Sequence, residues 1–206
     1  MKILKFLLLS ILTLVGVSLI WRWMSRKRTL PCPTWMANLL DSSWSDWLLG
    51  TQTTLDRIGL KPDQKVLEVG PGPGRLLIPA AKRVQPGGEA VGLDIQPGML
   101  VRLNARAARA GVSNLIGVLG DASQPQFPPE SVYLCTVLGE IPDRKAAIQQ
   151  CYAALKPDGI LSITEIFPDP HYQSRPTVQR LAEAAGFRQQ AVHGPWYFFT
   201  ANFVKA

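Results

Sequence analysis

The stretch Val66-Leu67-Glu68-Val69 is apolar apart from one carboxylate, and it runs directly into Gly70-Pro71-Gly72-Pro73-Gly74. A short, largely apolar run that stops at glycines, Lys65–Val69, reads as a buried strand followed by a tight turn. Glycine lets the backbone enter conformations closed to other residues and brings its N–H groups close to a ligand. Beyond the turn, Arg75 to Val84 has helical spacing, with Pro79 tolerable only near the first turn or as a kink. Strand, glycine turn and helix in that order make the first half of a βαβ unit.

The remainder repeats this alternation. Glu89–Asp94 reads as a strand. Pro97–Ala110 reads as a helix, opened by proline and closed by Gly111. Strands are expected at Leu115–Leu119, Ser131–Val137 and Gly159–Glu165, with a helix at Asp143–Leu155 capped by Asp143. A helix over Thr177–Ala185 stops at Gly186, and strands Phe187–Val192 and Trp196–Val204 flank a turn at His193-Gly194-Pro195. Strands alternating with helices imply a parallel sheet covered on both faces. The link between the last two strands is too short for a helical crossover, so that pair must be antiparallel.

Chemistry concentrates at the ends of the first strands. The spacing Gly-x-Gly-x-Gly, with Arg75 where a dinucleotide fingerprint has its third glycine, argues against a nicotinamide site. Glu68 precedes the first glycine, where a carboxylate repels a pyrophosphate and suits a cation. Asp94 ends the second strand and either accepts from ribose hydroxyls or caps the next helix. Asp121, in Gly120-Asp121-Ala122, either accepts from an exocyclic amine or serves as a turn residue. Glu140 lies beyond the fourth strand, at the carboxyl edge where open α/β sheets bind ligands. It reads as a candidate catalytic base or as the cap of the next helix. His171 and Tyr172 lie in the loop after the fifth strand, where a histidine is expected to be exposed and is given no catalytic role.

Glu68-Val69-Gly70-Pro71-Gly72-Pro73-Gly74, Asp94, Gly120-Asp121-Ala122 and Leu155-Lys156-Pro157-Asp158-Gly159 resemble, in order and spacing, the motifs of class I S-adenosylmethionine (SAM) dependent methyltransferases. The likeness spans roughly residues 50 to 206 and is strongest to the methyltransferase-11 and quinone-biosynthesis-like branch. It implies a Rossmann-like α/β fold with a seven-stranded, mostly parallel sheet and an antiparallel last strand. It also implies SAM as cofactor, held at Glu68, Gly70, Gly72, Gly74, Asp94, Ile95, Asp121 and Ala122. The histidine-rich loop of that branch is replaced by Leu138-Gly139-Glu140-Ile141-Pro142-Asp143, which weakens any transfer of its acceptor. The expected reaction is in-line methyl transfer to a small, apolar or membrane-associated acceptor. A membrane-tethered scaffold that keeps the fold without catalysis is the alternative.

The net charge of +7 looks like a nucleic-acid footprint until it is located. Six of the 22 basic side chains lie in residues 1–28, which carry no acidic one, so the rest of the chain holds 16 basic against 15 acidic. No nucleic-acid partner is expected. Cys32, Cys135 and Cys151 form no CxxC pair, the two histidines are far apart, and no metal site is expected. Phe6–Trp21 carries no charge, and Ile3–Met24 is long enough to cross a bilayer if Lys5 and Arg22 reach the headgroups. Residues 1–28 are therefore expected to be a single transmembrane helix with a basic flank. Arg22, Arg26, Lys27 and Arg28 outweigh Lys2 and Lys5, which orients the following domain to the cytoplasm. Residues 29–50 form a proline-stiffened connector and an amphipathic helix, which packs on the domain, covers a site or lies on the membrane. Residues 51–206 form the domain itself.

Overall fold

The computed structural model describes residues 50–121, 129–167 and 169–206, with Leu9, Ser10, Thr13 and Gly16. The expected transmembrane helix and the amphipathic helix before residue 50 lie outside the described residues. Among those that are described, no helix is long and apolar enough to cross a membrane.

The elements in chain order are α1 (Thr51–Ile58), β1 (Lys65–Val69), α2 (Leu77–Arg83), β2 (Glu89–Asp94), α3 (Pro97–Arg109), β3 (Leu115–Leu119) and β4 (Ser131–Cys135). A 3-10 turn (Leu138–Glu140), α4 (Arg144–Ala154), β5 (Ile160–Ile166), α5 (Arg175–Ala184), β6 (Phe187–His193) and β7 (Phe198–Lys205) follow. The seven strands form one sheet in the order β3-β2-β1-β4-β5-β7-β6. The first five pair in parallel, and β7 lies antiparallel between β5 and β6. The mixed, Rossmann-like sheet is thus the expected one.

Strand periodicity sends alternate side chains to opposite faces. Leu67, Val69, Val132, Leu134, Leu161, Ile163, Phe199 and Phe203 meet α4 and α5 on one face through Ile148, Cys151, Val178 and Ala182. Val66, Ala90, Tyr133 and Cys135 meet α1, α2 and α3 on the other through Leu55, Leu77, Ala81 and Leu103. Glu68 shares the second face with Val66, so a carboxylate is built into an apolar layer, 3% exposed. Cys135 and Cys151 are free and buried.

Several boundaries differ from expectation for identifiable reasons. α2 begins at Leu77 rather than Arg75 because the glycine segment is still turning there, with the Gly74 N–H donating to the Pro71 carbonyl at 3.0 Å. Pro79 then falls in the first turn, where the fixed φ of proline suits a helix start, and the backbone bonds continue on either side of it, from Ile78 N–H to the Gly74 carbonyl and from Ala80 N–H to the Leu76 carbonyl. β4 stops at Cys135, two residues early, because Thr136 has a left-handed φ of 55°. α1 was not foreseen: its buried face includes Thr51 and Thr54 beside Leu55 and Ile58, so it shows no apolar stripe. Its last turn is tied to the sheet by Asn202 Nδ2, which donates to the Arg57 carbonyl at 2.8 Å.

Where β5 meets β7 the sheet interior is polar. Ser162 Oγ donates to Asn202 Oδ1 at 2.6 Å, and the hydroxyls of Thr164 and Thr200 lie 2.9 Å apart. The register places each pair directly opposite. These buried groups satisfy one another, as buried polar atoms must.

Candidate active site

Strand order reverses at β1, with β2 and β3 to one side and β4 and β5 to the other. Loops leaving the carboxyl ends on either side of such a point diverge and leave a crevice. A cavity of about 250 Å³ occupies it, lined from the ends of β1, β2, β3 and β4.

Gly70 and Gly72 bend the chain at φ 69° and 53°. A Cβ on Gly70 would collide with the Val137 side chain, whereas one on Gly72 would meet only open space. The Gly72 N–H donates to Asp94 Oδ2 at 3.1 Å, and the Gln96 N–H donates to Oδ1 at 2.9 Å. Each carboxylate oxygen keeps accepting capacity beyond the backbone bond it already holds. Asp94 therefore shapes the turn and still offers lone pairs to the cavity. Burial raises its ionisation above the ordinary value, and the N–H groups of Gln96, Gly72 and Ile95 oppose that rise.

Glu68 is the most perturbed group at the cavity. Burial pushes its carboxyl up to about 8, opposed by the Arg75 guanidinium and the Tyr133 hydroxyl and assisted by Asp94. Its Oε2 is buried with no hydrogen-bond partner. Leaving a carboxylate oxygen unmatched in an apolar layer is costly. Such an atom beside a cavity marks where a cationic ligand would be held. Arg75 reaches the same region, its Nη1 donating to Thr51 Oγ1 at 3.0 Å and its Nη2 to Cys135 Sγ at 3.5 Å. Burial pushes the Cys135 thiol up to about 11, so it is not a nucleophile at neutral pH.

Of the residues singled out in the sequence, Glu68, Gly70, Gly72, Asp94, Ile95, Asp121 and Glu140 all line this one cavity. Ile95 presents a 56% exposed apolar side chain to it. Gly74 does not line it: at φ 89° it sits where a Cβ would strike Leu103, so it serves the packing of the turn against α3. Ala122 lies outside the described residues. Asp143, not Glu140, caps α4, its Oδ1 accepting from the Ala146 N–H at 2.9 Å. His171 is buried rather than exposed, because Gly139 has no side chain and lets the backbone of His171 pack directly against the 3-10 turn. Sequence reasoning missed Thr136, Gln96 and Met99 as cavity residues. It noticed Arg75 only as a departure from another fingerprint, although its place directly after the last glycine was a usable signal.

Residues 66–159 match the methyltransferase domain family. Over that stretch the chain is similar to a methyltransferase domain. Its cofactor is SAM, and Glu68, Asp94 and the open approach to Gly72 fit that molecule's cationic end and ribose hydroxyls. The nocamycin O-methyltransferase of Saccharothrix syringae is 37% identical over 119 residues, covering 56% of this chain and 42% of that protein. A ubiquinone/menaquinone biosynthesis C-methyltransferase of Pectobacterium carotovorum is 27% identical over 133 residues, covering 63% and 50%. The chain thus spans about half the length of these curated relatives or less. A SAM-dependent methyltransferase from Aquifex aeolicus has the same fold, with a TM-score of 0.77 at 21% identity over 84% of this chain and 98% of its own.

Proposed function

We propose that this protein transfers the methyl group of SAM to a small, apolar acceptor, working at the cytoplasmic face of a membrane to which residues 3–24 tether it. The observation that carries the first part is the unpartnered Oε2 of buried Glu68, set beside the Gly70–Gly72 bend and Asp94 in a single cavity. Bound SAM supplies a methyl group already activated on a sulfonium, so the protein's task is placement and exclusion of water.

Each residue has a distinct part in that task. Glu68 holds the positive end of the cofactor. Asp94 accepts from the ribose hydroxyls, and Asp121 accepts from the adenine amine. Ile95 and Met99 provide an apolar wall for the ring. The acceptor then lies toward Val137, Ile141 and Pro142, the apolar residues at the β4 side of the cavity, with Glu140 as their polar neighbour. A mainly apolar wall with one carboxylate suits a ring or isoprenoid compound carrying a single reactive group. The two relatives are named for methylation at oxygen and at carbon, so the atom methylated has to be argued from the site itself.

The tether rests on the uncharged run Phe6–Trp21 and the basic cluster that follows it. The decisive experiment incubates purified protein with methyl-labelled SAM and a membrane lipid extract, then identifies the labelled compound. Label in an apolar small molecule is expected. Absence of SAM binding by calorimetry would leave only a tethered scaffold.

A further inference from the structure

Behind the acceptor end of the cavity lies a second cluster, formed where the loop after β5 packs on the 3-10 turn. His171 Nδ1 lies 3.8 Å from Glu140 Oε1 and 3.7 Å from Asp169 Oδ1. Its Nε2 is buried without a partner, as is Oε1 of Glu165 at the end of β5. The loop is locally well held. The His171 N–H donates to Asp169 Oδ1 at 2.6 Å, the Gln173 N–H donates to Glu165 Oε2 at 3.0 Å, and the Gln173 side chain donates to the His171 carbonyl at 2.7 Å. The turn is held too, by Arg144, whose guanidinium donates to the carbonyls of Leu138 at 3.1 Å and Gly139 at 2.9 Å. Both partners of the Glu140–His171 contact therefore sit on fixed backbone, and only side-chain torsion separates 3.8 Å from a hydrogen bond. Catalytic contacts are often long without substrate and shorten in the complex.

We propose that Glu140 and His171 act as a pair that takes up the proton of a hydroxylated acceptor, with Glu140 the proton acceptor and His171 the positioning residue. This rests on the methyltransferase reading and adds its acceptor class: a compound with an ionisable O–H, such as a phenol or enol. A lone pair on the acceptor oxygen forms the new O–C bond, and the S–C bond breaks with its electron pair remaining on sulfur. The hydroxyl proton passes to the Glu140 carboxylate. The positive charge on sulfur and the negative charge on Glu140 are discharged together, and the proton leaves to water after the ether is released. His171 stays neutral because burial and the nearby Arg144 both disfavour its charged form. With Nδ1 facing two carboxylates, its proton sits there and is directed at Glu140, keeping that carboxylate aimed and ionised. The charged groups facing His171 are Glu140, Asp169 and Arg144, and Glu165 interacts in turn with Asp169, Arg144 and Glu140.

The chain has two histidines, so their imidazole signals can be followed separately by NMR, His193 serving as the reference. In Glu140→Gln the titration midpoint of His171 is expected to fall by about one pH unit, with His193 unmoved. A His171 signal indifferent to Glu140→Gln overturns the pair. In the same preparations, calorimetry with SAM should give wild type and Glu140→Gln dissociation constants within about twofold. If wild type fails to bind SAM, the methyltransferase reading fails, while the NMR comparison still decides the coupling. If SAM binds and the label from the lipid extract is found on carbon, the reading survives and the hydroxyl-acceptor proposal does not.

Discussion

Gly70 lies so close beneath the Val137 side chain that no Cβ fits between them, whereas Gly72, two residues on, faces open cavity. Both have left-handed φ values, so their substitutions share one cost and differ in another. Gly72→Ala should destabilise the fold by about 1–2 kcal/mol, the cost of placing an L-residue there. Gly70→Ala adds overpacking and should cost about 2–4 kcal/mol. Thermal unfolding checks the order, and Val137→Ala in the Gly70→Ala background should recover the steric part only.

Asp94 ties the glycine turn to β2 and offers its remaining lone pairs to the cavity. Asp94→Ala should weaken SAM binding about 10- to 100-fold, the worth of one to two hydrogen bonds to a charged group. Titration calorimetry reads this directly. Affinity unchanged within experimental error would remove Asp94 from the ribose site.

Glu68 makes stability depend on pH in a definite direction. Its folded ionisation, about 8, lies above the ordinary 4.5, so between those values the folded state holds a proton that the unfolded state has lost. Stability then falls as pH rises through that window. Burial raises Asp94 and Glu165 as well, which adds to the same slope. The informative measurement is therefore the difference between wild type and Glu68→Gln. Denaturant unfolding from pH 5 to 8 should show a shallower decline in the variant. Binding of the cationic cofactor near pH 7 should also release a proton from wild type alone, seen as a buffer-dependent heat.

Asn202 is hydrogen-bonded to Ser162 on β5 and to the carbonyl of Arg57 at the end of α1. Asn202→Ala strands buried Ser162 and the half-buried Arg57 carbonyl and should cost about 2 kcal/mol, lowering Tm by about 4–8 °C. A loss below about 0.5 kcal/mol by differential scanning calorimetry would show that α1 is held by its apolar contacts alone.

If residues 3–24 tether the protein, removing residues 1–28 should move it from the membrane pellet to the supernatant after high-speed centrifugation, with SAM affinity unchanged. Recovery of both forms in the same fraction would refute the tether.

Much of this architecture was legible in the sequence because it depends on local chemistry. β1, β2 and β3 have the expected limits, since each is an apolar run bounded by turn residues. The antiparallel end of the sheet followed from a three-residue link. The cavity residues Glu68, Asp94 and Glu140 were legible because a strand's carboxyl end is marked by where its apolar run stops. What was hidden depends on contacts between distant segments. The burial of His171 is decided by the absence of a side chain on Gly139, thirty-two residues earlier, and no periodicity reports that. Gly74 looked like a ligand contact because it belongs to the glycine series, yet its φ and its closeness to Leu103 assign it to packing. α1 was invisible because threonines form much of its inner face.

The placement of β7 between β5 and β6 has a consequence for how the polypeptide emerges from the ribosome. Synthesis delivers β6 before its inner neighbour, so the outer edge of β5 remains unpaired until the final strand appears. A nascent chain would thus present a bare hydrogen-bonding rim, with Ser162 and Thr164 lacking their mates, for as long as the last segment is delayed. Translational stalling near β7 should accordingly be a point of vulnerability to aggregation or chaperone capture, even though the cofactor-facing half is already complete.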